Sequence, residues 1–125
     1  MKLIFAIAFK IIKKRKLVVL MKFELFRNLY SEALDYESLE LYIGERGWQE
    51  WMEKYDPADY LPEIYKLATS ELKETRERKE LSRAAFSRLY GIPVRTVENW
   101  DNGSREAPVY VKLLIDYSLF ITDVF

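Results

Sequence analysis

Residues 82–103, SRAAFSRLYGIPVRTVENWDNG, decide how this chain folds. Ser82 offers a side-chain oxygen to the free N–H groups at the start of a helix over Arg83–Tyr90, and Gly91 can adopt the left-handed backbone that ends one. Pro93 lies beside the first turn of a second helix running to about Asn102, where Gly103 stops it. Two short helices joined by a tight glycine turn form the arrangement in which the second can enter a DNA major groove. Phe86, Tyr90, Ile92, Val97 and Trp100 fall where the pair must bury a shared wedge, and small Ser87 sits where the axes approach. At about 100° per residue, Val94, Arg95, Glu98, Asn99 and Asn102 project outward from the second helix.

Upstream, Pro62 is placed to open a helix whose Ile64, Tyr65, Ala68, Leu72 and Thr75 share one side, running to about Lys79. Downstream of Pro108, Val109–Tyr117 should form a closing helix, with Leu113, Leu114 and Tyr117 packed on the helix-turn-helix. Leu119, Phe120, Ile121, Val124 and Phe125 follow as a tail too apolar to stand in water. It either folds back on the segment before residue 62 or joins a homodimer.

That earlier segment is helical and acidic. Phe26, Leu29, Tyr30 and Ala33 recur at three- and four-residue spacings. Ser38 caps a second short helix through Tyr42, and GERG (44–47) reads as a turn. Trp48, Trp51, Met52 and Tyr55 describe the apolar face of a third helix ended by Asp56-Pro57. Residues 23–61 hold ten acidic residues against three basic ones. Their aromatic rings fill a small core, or they form an interaction surface whose acidic rim selects a basic partner. Trp48 and Trp51 here, with Phe120 and Phe125 in the tail, are the candidate contacts for such a partner.

The chain is 125 residues with half of them apolar, one domain's worth by length. Its 20 basic and 20 acidic residues include no histidine, and there is no cysteine. Disulfide scaffolds, thiolate zinc sites, cysteine nucleophiles and imidazole triads are thereby excluded. Glu53, Asp56 and Asp59 lack the glycine and terminal glutamate of a calcium loop. No phosphate-cradling glycine loop or placed carboxylate pair supports an enzyme. No cofactor, metal or small-molecule ligand is indicated.

Residues 1–20, MKLIFAIAFKIIKKRKLVVL, are basic and apolar. Lys10 interrupts the first apolar run long before the roughly 20 residues of a membrane span, and KKRK stands where a signal peptide would need small residues. The leader is expected either to lie on a membrane surface or to precede a true start at Met21. The organisation expected is therefore this leader, an acidic aromatic helical subdomain over 21–61, and a helix-turn-helix domain with an apolar tail over 62–125.

SRAAFSRLYGIPVRTVENWDNGSREAPVYVKLLIDYSL resembles the Cro/C1-type, or Xre-like, helix-turn-helix family of phage repressors and bacterial regulators. The resemblance covers roughly residues 65–118. It implies an all-α fold, a Cro/C1-like bundle on which the small helical N-terminal subdomain read above would pack, acting in the cytoplasm on double-stranded DNA. It also implies roles. Val94, Arg95 and Asn99 would meet base edges, Arg95 reading guanine and Asn99 adenine through bidentate bonds. Arg83, Asn102, Ser104 and Arg105 would meet phosphates. Phe86, Ser87, Tyr90, Gly91, Val97 and Trp100 would be structural, and Arg76 would pair with Asp101. The family's frequent glutamines at the positions of Arg83 and Arg95 are arginines here, and Glu98 and Glu106 stand near the expected phosphates. Over residues 79–106 the balance is five basic to four acidic residues, predicting weak non-specific DNA affinity.

The function expected is a sequence-specific DNA-binding regulator, most simply a repressor. Its alternatives are an antitoxin and a protein-binding adaptor or inhibitor working through residues 23–61.

Overall fold

A computed structural model of the chain describes residues 21–122, so the expectations for the leader and for Phe125 fall outside the described residues. The chain is all-α: α1 (Phe23–Ala33), α2 (Leu39–Gly44), a 3-10 turn (Glu50–Glu53), α3 (Pro57–Thr69), α4 (Leu72–Arg78), α5 (Arg83–Tyr90), α6 (Val94–Asp101) and α7 (Val109–Thr122). Among the described residues no helix is long and apolar enough to cross a membrane.

Two compact units form, and their boundary differs from the expected one at 61/62. The first comprises residues 21–69 and 113–122, the second Ser70–Lys112. The shift follows from how α3 begins. Asp56 accepts the Ala58 N–H on Oδ1 at 3.0 Å, so Asp56-Pro57 opens this helix instead of ending the one before it. Pro62 consequently lies inside α3, where it cannot return the usual bond to the carbonyl four residues back. Burial of Tyr60, Leu61, Ile64, Leu67 and Ala68 holds the helix regardless. The single helix expected from Pro62 to Lys79 is two. The Thr69 hydroxyl donates back to the Tyr65 carbonyl at 2.7 Å, Ser70 bends, and Glu71 is extended before α4 starts.

The first unit is an aromatic core on α1 and α3. Phe26, Leu29, Tyr30 and Ala33 are the buried stripe of α1, as their spacing predicts. Ser38 caps α2 by accepting from the Leu41 N–H, and Tyr42 of α2 is buried with its hydroxyl donating to the Leu29 carbonyl at 2.7 Å. The helix expected over Trp48–Tyr55 shrinks to the 3-10 turn; Trp48 precedes it and is 70% exposed, whereas Tyr55 is buried.

The largest departure concerns the C-terminal helix. Tyr117, expected to pack on the helix-turn-helix, lies 5.2 Å from the Phe23 ring and donates to the Met21 carbonyl at 2.6 Å. Leu113 also packs on the first unit's core, while Leu114 is exposed. Phe120, a candidate contact for a protein partner, is buried between Phe26 and Tyr60, with centroids 5.1 and 6.0 Å away. Of the two outcomes open to the apolar tail, its described part thus takes the first: Phe120 and Ile121 pack on the core of the first unit. A fully buried carboxylate reinforces the return, Tyr30 donating to Asp116 Oδ2 at 2.6 Å. Burial raises the Tyr30 hydroxyl pKa, and the bond to Asp116 raises it further.

Candidate nucleic-acid interface

The second unit holds α4, α5 and α6, with α6 packed on both of the others. Ser82 accepts from the Ala85 N–H at 3.1 Å and starts α5. Gly91, at φ 66° and ψ 29°, ends it, and the Ile92 N–H reaches back to the Ser87 carbonyl at 3.1 Å. That six-to-one bond around a left-handed residue is a Schellman closure. The Ser87 hydroxyl adds a bond to the Ile92 carbonyl, so the small side chain ties the turn to its helix. Pro93 is the N-cap of α6 and Asn102 its C-cap, with Gly103 following at φ 78°. Phe86 and Val97 are buried, and Tyr90, Ile92 and Trp100 are half-buried around them. The Phe86 and Tyr90 rings lie 4.9 Å apart.

The C-terminal end of α6 is anchored by charge. Arg76 Nη2 donates to Asp101 Oδ2 at 2.7 Å, and the two side chains retain 8% and 4% of their exposure. Arg76 Nη1 also donates to the Leu81 carbonyl at 3.1 Å, linking the loop between α4 and α5 to the same pair. A carboxylate in a helix's last turn opposes the helix dipole, so Asp101 needs these cations. Arg83 Nε supplies a second bond to the same Oδ2, also at 2.7 Å, from a half-exposed side chain. The bond to Asp101, then its charge, raises the Arg83 pKa.

The expected base-contacting residues are spread along α6. Val94 and Arg95 are exposed in its first turn, and Asn99 is half-buried one turn further on. Arg95 has no ion-pair partner among the described residues. The next loop is ordered by Asn102, whose Oδ1 accepts both the N–H and the hydroxyl of Ser104, and by the Arg105 N–H on the Asn99 carbonyl at 3.2 Å. Asn102, Ser104 and Arg105 are all exposed. Glu98 and Glu106 are exposed as well, so the surface carries both signs of charge.

Sequence reasoning missed that Arg83 is shared with Asp101. No local signal announces it, because the partners are 18 residues apart and meet only once α5 and α6 have packed. Comparison of the chain with protein-family models, with curated proteins and with solved structures yields no match.

Proposed function

We propose that the chain is a sequence-specific DNA-binding regulator, of the repressor type, that lays α6 in the major groove. One observation carries this reading: Val94 and Arg95 stand exposed on the first turn of a helix whose two ends are both fixed, by the Gly91 turn and by the Arg76–Asp101 pair. A groove-reading helix needs that combination, because a side chain discriminates between bases only when its backbone is held in register. Arg95 is suited to guanine, the half-buried Asn99 to adenine, and Val94 to a thymine methyl. Arg83 and the loop of Asn102, Ser104 and Arg105 are suited to phosphates, with Arg83 pre-positioned by Asp101. Such a regulator works in the cytoplasm of a bacterial or phage-infected cell.

The test is fluorescence anisotropy of the full chain on its own upstream DNA and on a shuffled fragment, each titrated with salt. Tight binding to the upstream fragment alone supports the proposal. Equal, weak binding to both removes it.

A second reading is favoured by Trp48, which is 70% exposed in a stretch of sequence that also holds the exposed carboxylates Glu45, Glu50 and Glu53. An exposed indole on an acidic surface suits a basic protein partner, as an antitoxin or adaptor would have. Under this reading Trp48→Ala abolishes function and Arg95→Ala leaves it intact.

A further inference from the structure

We propose that the first unit carries a binding site for a small organic carboxylate with an aromatic or aliphatic body. The site is an open cavity of about 300 Å³ lined by Lys22, Leu25, Glu50, Trp51, Lys54 and Tyr55. That volume is at the lower end of small-ligand pockets, and its lining has the usual division of labour, apolar walls with a few polar groups. Leu25 and Trp51 are half-buried and Tyr55 is buried, so they supply the walls and floor. Lys22 and Lys54 are exposed at the rim and have no ion-pair partner among the described residues.

The charge pattern selects the sign of the ligand. Residues 23–61 hold ten acids and only three bases, yet this cavity gathers one of those bases, Lys54, together with Lys22 just before the segment. Two lysines and one glutamate, Glu50, are among its lining residues, a net positive lining on an otherwise acidic segment. A ligand carboxylate would lie between the lysines while its apolar body displaces water from Trp51 and Leu25.

The wall is also pre-formed. Trp51 Nε1 donates to Gln49 Oε1, and that oxygen accepts from Arg46 Nη1 at 3.3 Å. Arg46 is held in turn by Glu32 at 3.1 Å and by the Tyr42 carbonyl at 3.0 Å. The indole is therefore fixed before any ligand arrives, which lowers the ordering cost of binding. This inference does not depend on the DNA-binding reading.

The test is a titration of the full chain with 4-phenylbutyrate and, separately, with its neutral amide, followed by the Trp51 indole N–H signal in proton–nitrogen correlation spectra. The expected result is a saturable shift with the carboxylate, and binding of the amide at least about tenfold weaker. Lys22→Gln/Lys54→Gln, two exposed substitutions that leave the remaining signals in place, should weaken the carboxylate to the level of the amide. Equal affinity for both compounds, no saturable shift with the carboxylate, or unchanged affinity in the double variant would each overturn the proposal.

Discussion

The Arg76 guanidinium meets the Asp101 carboxylate at 2.7 Å across 25 residues of sequence, with both side chains almost wholly removed from water. Because Arg83 reaches the same oxygen from an exposed position, one carboxylate joins a buried cation to a surface one. The two arginines should therefore differ sharply in their contribution. Arg76→Ala strips a buried pair of its inner partner and should cost about 3–5 kcal/mol in urea unfolding. Arg83→Ala should cost far less than Arg76→Ala, since solvent screens its bond. Equal losses would mean that Arg76 is not the anchor.

Glu80 stands at φ 58°, just past α4, where the Leu81 N–H closes a six-to-one bond to the Arg76 carbonyl at 3.0 Å. A side chain in that left-handed position is strained by about 1–2 kcal/mol. Glu80→Gly should raise stability by up to about 1 kcal/mol, the gain being trimmed by the freer unfolded chain. Gly91→Ala should lower stability by a similar amount, because Gly91 takes φ 66° in the other turn.

Phe120 and Leu114 lie on the same helix with opposite fates, the first buried and the second 52% exposed. Phe120→Ala should cost about 3–5 kcal/mol by opening a cavity against Phe26 and Tyr60. Leu114→Ala should fall within about 1 kcal/mol. Chemical denaturation of the two variants side by side measures the contrast.

Alkaline pH should unfold the first unit. Burial is the main cause raising the hydroxyl pKa values of Tyr30, Tyr42 and Tyr117 above their ordinary 10.0; Asp116 contributes for Tyr30, while Arg46 partly opposes the rise for Tyr42. An unfolded tyrosine loses its proton near pH 10 while the folded one keeps it. Stability is thus fully present below pH 10 and falls as pH rises above it, chiefly through the buried Tyr30 and Tyr42 and less through the partly exposed Tyr117, whose contribution solvent screens. Stability measured between pH 8 and 11 should be flat and then decline, and Tyr42→Phe should shallow the decline.

Much of this architecture is legible in the chain because the signals are local. The periodic Phe26, Leu29, Tyr30 and Ala33 mark the buried face of α1, and Ser38, Ser82 and Gly91 punctuate helices as their chemistry requires. Prolines misled where two competed: Pro57 has the aspartate cap at its side and wins the helix start over Pro62. The break after Thr69 carries neither glycine nor proline and rests on hydroxyls that also occur inside helices. The path of α7 was hidden for a different reason. Tyr117 and Phe120 find Met21, Phe26 and Tyr60 only through long-range packing, and an apolar tail does not say which core it joins. For the candidate interface, Val94, Arg95 and Asn99 could be assigned to α6 from helical spacing, but the capture of Arg83 by Asp101 could not.

Whether α6 reads bases is tested by salt-titrated anisotropy of Arg95→Ala and Arg105→Ala beside the unaltered chain. Arg95→Ala should lose about 1–3 kcal/mol on the upstream DNA and little on the shuffled fragment, erasing most of the preference between them. Arg105→Ala should weaken both fragments alike and reduce the log–log salt slope by about one. If Arg95→Ala leaves the preference intact, or if the unaltered chain shows none, α6 is not a reading helix.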